Sequence, residues 1–178
     1  HISPVFYSIL ARKGYFPLEE LKTFRLIDSR LQGHPTTHEG LPGVRVASGS
    51  LGQGLSVAIG AALSKKLNND DKTVYVLMGD GELQDGQNWE AIMYAAGKKV
   101  DNLIATVDLN GKQIDGSTED VLPMGNIAKK FEAFGWYVLI LKKGNDLSSI
   151  IEALKLAQNK ARKAQPVVII MHTIMGNG

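Results

Sequence analysis

Thr73-Val74-Tyr75-Val76-Leu77-Met78 runs without a break into Gly79-Asp80-Gly81-Glu82, and a helical pattern begins within a few residues. A short run of β-branched, aromatic and aliphatic residues closed by glycine reads as a strand. The next such run, Leu103–Asp108, ends in Leu109-Asn110-Gly111-Lys112, so that Asn110 stands thirty positions after Asp80. That separation fits one strand–helix–strand unit, in which two adjacent parallel strands end at the same edge of a sheet. In an open α/β sheet the carboxyl ends of the strands are where ligands sit.

Working outward, Trp136–Leu141 and Pro166–His172 read as further strands. Between the strands, Gly52–Leu67, Asn88–Lys98, Asn126–Phe134 and Leu147–Ala164 carry apolar residues at three- and four-residue spacing and read as helices, with Asp146 and Ser148 as candidate caps of the last. Ser3–Ala11 and Leu18–Leu26 read as shorter helices joined through Gly14. Alternation of strands and helices predicts an α/β fold, a mainly parallel sheet with helices on both faces. The segment Gly33–Gly54, which contains His34-Pro35-Thr36-Thr37-His38-Glu39-Gly40-Leu41-Pro42-Gly43, has no period and reads as a long site-forming loop.

At 178 residues, 44% of them hydrophobic and 21% charged, the chain has the composition of one globular domain, expected to span 1–178. The absence of cysteine rules out a disulfide framework. A net charge of +2 with interspersed signs offers no basic field for nucleic acid, and Lys155, Lys160, Arg162 and Lys163 read as a solvated helix face. Apolar runs such as Val167–Met171 are far too short to span a membrane, and nothing at the start resembles a signal peptide, so the expected location is cytoplasmic. No HExxH, GxSxG or Walker pattern is present, and Gly49-Ser50-Leu51-Gly52-Gln53-Gly54 lacks the dinucleotide-binding order of glycines.

Glycines at 79 and 81 let the backbone pass close to a ligand, and free amides at a helix start suit phosphate oxygens. An aspartate between them repels a bare phosphate. It makes sense beside a hard cation, because Mg²⁺ takes oxygen ligands and bridges protein carboxylates to phosphates. Asn110 adds a carboxamide oxygen at the same edge, and the turn after it can add a backbone carbonyl. Either element alone reads as an ordinary turn. Together, each directly after a strand, they point to a cation-and-phosphate site.

Gly79-Asp80-Gly81 followed by Asn110 resembles the signature of thiamine-diphosphate-dependent enzymes. Gly33-His34-Pro35, Leu41-Pro42-Gly43, Ser48-Gly49-Ser50-Leu51-Gly52-Gln53-Gly54 and Gly79-Asp80-Gly81-Glu82-Leu83-Gln84-Asp85-Gly86 are more specifically similar to the N-terminal, diphosphate-binding domain of transketolases, in order and over nearly the whole chain. The resemblance implies that Asp80, Asn110 and the carbonyl of Lys112 hold Mg²⁺, or another divalent cation such as Ca²⁺ or Mn²⁺, on the diphosphate of the cofactor. Gly79, Gly81 and Glu82 belong to the same cofactor-binding motif. It further implies that the backbone at Gly49 and Leu51 meets the aminopyrimidine ring and that Ile114 packs on the thiazolium. His1 matches an active-site histidine near the diphosphate and His34 one near the substrate hydroxyls; His38 and His172 read as structural or merely exposed. Glu90 matches a subunit-interface carboxylate, as does Asp85, where the family more often has glutamate; Ser50 stands where some relatives carry proline.

By the same resemblance the activity is transfer of a two-carbon ketol unit from a ketose phosphate to an aldose phosphate. The pyrimidine-binding and C-terminal domains, one of which carries the activating glutamate, have no counterpart in this chain, nor do the arginines that grip the sugar phosphate. The chain is therefore expected to be inactive alone and to work with a C-terminal transketolase subunit or domain, in a dimer of complete units or a heterotetramer. It opens at His1 and closes on Met175-Gly176-Asn177-Gly178, ends that fit a split transketolase slightly better than an excised piece. Three other readings stand beside this one: a deoxyxylulose-phosphate synthase-like enzyme, a non-catalytic cofactor-binding subunit, and a nucleotide-phosphate binder that needs no metal.

Overall fold

The computed structural model describes residues 2–177; His1, assigned above to the diphosphate, lies outside the described residues. The described residues up to Leu51 form one compact unit and those from Gly52 onward a second.

The first unit is built on α1, Ser3–Arg12, which has proline in its first turn. Its buried face, Tyr7, Leu10 and Ala11, packs with Phe16, Leu31 and Leu41 into a small core. Two hydrogen bonds tie the loop to this helix: Ser3 Oγ donates to the Gly33 carbonyl at 2.6 Å and Tyr7 Oη to that of Gln32 at 2.9 Å. The helix expected over Leu18–Leu26 forms only as 3₁₀ turns over Leu18–Thr23. Local side-chain bonds win there over the helical ladder. Thr23 Oγ1 donates to the Glu20 carbonyl and meets Ser29 Oγ, Arg30 grips the Glu20 carboxylate through two bonds of 2.9 Å, and Arg25 turns into the left-handed region at φ 61°. From Phe24 to Gln53 the backbone is irregular, and from Gly33 onward this is what the aperiodic loop predicts.

In the second unit the order is α2 Gly54–Leu67, β1 Val74–Gly79, α3 Gly86–Gly97, β2 Leu103–Leu109, β3 Lys112–Gln113, β4 Gly116–Ser117, α4 Thr118–Val121, α5 Ile127–Ala133, β5 Tyr137–Leu141, α6 Leu147–Lys160 and β6 Val167–His172. The main sheet is parallel in the order β1-β2-β6-β5, with Gly79 in register with Asp108. Strands β2 and β6 are buried on both faces, which explains their continuous apolar runs. Leu103, Ala105, Val107, Val168 and Ile170 face the core against α2, α3 and α5, whereas Ile104, Val167 and Ile169 pack against α6. The fold is thus α/β, a mainly parallel sheet with helices on both faces.

The differences from expectation sit at element ends. Helix α2 starts at Gly54 and not at Gly52, because Gly52 has φ 81° and cannot belong to a right-handed helix. Asp146 caps α6 by accepting from Ser149 N at 2.8 Å; Ser148 lies inside the helix and is not the cap. Helix α6 ends at Lys160, four residues early, since Arg162 and Ala164 turn left-handed and donate their backbone N–H groups to Asp101. Arg162 and Lys163 are therefore not on the helix face, and Lys160 Nζ lies 4.9 Å from the centre of the Tyr137 ring. The short β3–β4 hairpin, Lys112–Ser117, has no counterpart in the sequence-based expectation.

Asp101 joins three segments, accepting from Lys66 Nζ at 2.6 Å and from Ala164 N at 3.0 Å while its carbonyl accepts from Arg162 N. Burial opposes its ionisation, yet the Lys66 ammonium and the Ala164 amide outweigh burial and hold the carboxyl below its ordinary range. A depressed carboxyl stabilises the fold above its unfolded value and stops doing so as pH falls through the folded one. Asp101→Ala is expected to cost about 2 kcal/mol at neutral pH. In urea unfolding the gap between the two proteins should close progressively below about pH 4; a gap independent of pH would show that the ion pair is not its source.

Candidate functional site

The carboxyl edge of β1 and β2 carries the densest set of candidate residues. Strand pairing places Gly79 beside Asp108, and the ladder runs one step further, with Asp80 N donating to the Asp108 carbonyl at 3.1 Å. Asp80 is 1% exposed. Its Oδ1 accepts from Gly81 N at 2.9 Å and its Oδ2 from Gly111 N at 2.7 Å, which draws the turn after Asn110 onto the Gly-Asp-Gly loop. The two glycines thus serve Asp80 through their amides, and a Cβ on Gly81 would lie 3.1 Å from Gln113 Cβ. Burial pushes the Asp80 carboxyl above its ordinary range, the Gly111 and Gly81 amides pull it back, and Asp108 raises it again.

Asn110 closes an Asx turn, its Oδ1 accepting from Lys112 N at 2.8 Å while its Nδ2 donates to Asp108 Oδ2 at 3.2 Å. Lys112 opens the hairpin with its side chain exposed, and Ile114 at the hairpin tip is 87% exposed. Glu82 acts as a backbone clamp, with Oε1 accepting from Gly52 N at 2.9 Å and Oε2 from Gly79 N at 3.2 Å. It braces the entry to α2 against the end of β1 and is not turned to a free position. Asp85 precedes α3 without a side-chain cap bond, and Asp85 and Glu90 are both exposed.

His34, Gly49 and Leu51 lie in the other unit. His34 lines a cavity of about 500 Å³ together with Arg25, Gln32, Thr36, His38 and Glu39. Gly49 has φ 115°, and a Cβ there would stand 2.7 Å from His34 Cγ, so the two positions are in direct contact. Leu51 is exposed at the end of this unit, and His172 is exposed at the end of β6.

Two residues of the strand edge escape a reading of the sequence. Asp108 shows there only as the end of a strand, and Thr173, just past β6, donates its hydroxyl to Asp108 Oδ1. A carboxylate at the end of a buried strand, two positions before the asparagine, is the available signal.

No group of three His, Cys, Asp or Glu able to hold a metal occurs among the described residues. The donor set instead suits a hard cation that shares its shell with a phosphate ligand. Asp80 and Asp108 are close carboxylates with no Lys or Arg ion-paired to either among the described residues, so a divalent cation would offset charge that the chain leaves uncompensated.

Fold and strand-end donors together define an α/β domain of the cofactor-binding kind. All 178 residues match the family described as transketolase, thiamine diphosphate binding domain. The chain belongs to this family. It is 39% identical over 178 residues to a 6-deoxy-6-sulfo-D-fructose transketolase subunit of Clostridium sp. (strain MSTE9), covering 63% of that protein. It is 43% identical over 173 residues, 97% of its own length, to one of the apulose-4-phosphate transketolase subunits of Actinobacillus succinogenes, covering 61% of that protein. The chain thus spans about three-fifths of these relatives. A transketolase of Pichia stipitis solved as a complex with xylulose 5-phosphate superposes with a TM-score of 0.86 at 31% identity, over 95% of this chain and 26% of that one. No helix among the described residues is long and apolar enough to cross a membrane.

Proposed function

We propose that this chain is the N-terminal, diphosphate- and cation-binding subunit of a transketolase, which moves a two-carbon ketol unit from a ketose phosphate to an aldose phosphate. The observation that carries this reading is Asp80, a buried carboxylate cradled by two backbone amides with no cationic side chain paired to it among the described residues. Asp80, Asn110 Oδ1 and the Lys112 carbonyl would hold Mg²⁺, and the Gly79–Gly81 loop would lie against the diphosphate. Bound thiamine diphosphate supplies the carbanion-stabilising chemistry that lets a carbon–carbon bond beside a carbonyl break and re-form. The chain's own residues do the rest: Glu82 braces the strand end against the entry to α2, Gly49 and Leu51 present backbone to the aminopyrimidine, Ile114 packs on the thiazolium, and His34 meets the substrate hydroxyls. Asp85 and Glu90, both exposed, suit a subunit interface.

The relatives named as subunits support a partner chain; by the resemblance, that chain would carry the pyrimidine-binding domain and its activating glutamate. A whole unit then contains both chains, and two units make a heterotetramer. A cytoplasmic setting goes with sugar phosphates as substrates. The test is turnover of xylulose 5-phosphate by the complete native assembly with thiamine diphosphate and Mg²⁺, with and without ribose 5-phosphate. Aldose-dependent turnover is expected. Turnover without an aldose would favour a different acceptor such as that of the synthase, and none with a range of ketose phosphates would leave a subunit that only binds the cofactor.

A further inference from the structure

Asp108 is the one strand-end carboxylate to which the proposed function gives no task. It stands in β2 beside Gly79, and its two oxygens are divided between two partners. Oδ2 accepts from Asn110 Nδ2 at 3.2 Å, and Oδ1 accepts from the hydroxyl of Thr173. Thr173 is itself held, for its backbone N donates to the Leu109 carbonyl at 3.2 Å. Gly144 packs so closely on this point that a Cβ there would lie 2.5 Å from the His172 carbonyl oxygen and 2.8 Å from Thr173 Cγ2. Asn145 Oδ1 accepts from Ile174 N at 2.7 Å, closing the same turn over the exit of β6. Asp108 is therefore a rigid acceptor.

A carboxamide has two orientations that differ by exchange of its oxygen and its NH₂. With the NH₂ on Asp108, the oxygen of Asn110 is left to the turn, where Lys112 N meets one of its lone pairs. Rotation by half a turn would bring oxygen against the Asp108 carboxylate and NH₂ against the Lys112 N–H, which is repulsive at both ends. A hard cation takes oxygen and not an amide nitrogen.

We propose, resting on the cation reading above, that Asp108 is a positioning residue: braced by Thr173, it locks the Asn110 carboxamide with its oxygen available to the cation. It acts through Asn110 and does not itself hold the metal.

The test is Mn²⁺ affinity of the complete native assembly in the presence of thiamine diphosphate, read from the electron paramagnetic resonance signal of free Mn²⁺. Asp108→Ala is expected to weaken Mn²⁺ by about 10- to 100-fold, as loss of a partner that orients a metal ligand does. Asp108→Asn keeps an oxygen able to accept from Asn110 and should recover most of that loss, which a role through charge alone would not allow. Thr173→Val, which leaves Asp108 in place but unbraced, should weaken Mn²⁺ by about 3- to 10-fold and covers the case in which Asp108→Ala does not assemble. Affinity within about threefold of the unsubstituted protein for Asp108→Ala would overturn the inference, as would Asp108→Asn as weak as Asp108→Ala, or an unchanged Thr173→Val. Asp80→Ala separates the two levels. If it too leaves Mn²⁺ binding intact, the cation reading itself falls; if it abolishes binding while the Asp108 and Thr173 variants do not, only the positioning role falls.

Discussion

Asp80→Ala abolishes Mg²⁺-dependent binding of thiamine diphosphate and leaves the sheet folded; this is the largest single effect expected of any substitution in the chain. The side chain is buried and supplies the only carboxylate of the proposed cation shell. Its removal releases the Gly81 and Gly111 amides but also removes a buried charge, so the cation-free fold loses little. For the unsubstituted assembly, Mg²⁺ and cofactor at a hundredfold over Kd should add about 2.7 kcal/mol of stability. In a chain of this size that is about 5–10 °C in Tm. Asp80→Ala should show no such shift in differential scanning calorimetry and no heat of cofactor binding in titration. A preserved shift would sink the assignment.

The same carboxylate sets a pH signature. Burial raises the Asp80 carboxyl above its usual value. A raised folded pKa means that the folded state holds the proton longer, so its stabilising effect is complete below about pH 4 and is lost as pH rises through the folded value. The cation must displace that proton. Asp80's own contribution to stability without Mg²⁺ should therefore fall as pH rises from about 4, and the increment that Mg²⁺ adds should grow over the same range. Melting curves taken across that range with and without Mg²⁺ should diverge; parallel curves would show that Asp80 is not the group displaced.

How much of this is legible in the sequence depends on the reach of the interaction concerned. Strands β2 and β6 announce themselves because burial on both faces demands unbroken apolar runs; β1 and β5, with Tyr75, Leu77 and Ile140 exposed, still read as strands from their β-branched and aromatic residues, and the Asp80–Asn110 spacing follows from the length of one crossover. What stays hidden depends on partners far along the chain. Glu82 reads as part of a cofactor loop until Gly52, thirty positions earlier, is seen to donate to it. Asp108 reads as a strand end until Thr173, 65 positions later, is found on its other oxygen. The end of α6 is misplaced for the same reason, since nothing local tells Arg162 and Ala164 to leave the helix for Asp101. The β3–β4 hairpin, with two residues in each strand, is too short to show a period.

Gly49→Ala should lower kcat/KM for the ketose phosphate by about 100-fold, and most of that loss should pass through His34. Gly49 sits at φ 115°, where an alanine carries about 1–3 kcal/mol of strain. The added Cβ would also stand 2.7 Å from His34 Cγ and 2.9 Å from Nδ1, distances at which the imidazole must move. If His34 meets the substrate hydroxyls, displacing the ring by about an ångström removes the alignment on which the rate depends. The resemblance offers a rival account, in which Gly49 matters because its backbone faces the aminopyrimidine. A double-substitution cycle distinguishes them. Where Gly49 acts through the imidazole, Gly49→Ala made in a His34→Ala background finds no ring to displace, and the two losses do not add as free energies. Losses that multiply in full would mean that the glycine serves the cofactor directly, and His34 would then owe its position to the rest of its loop.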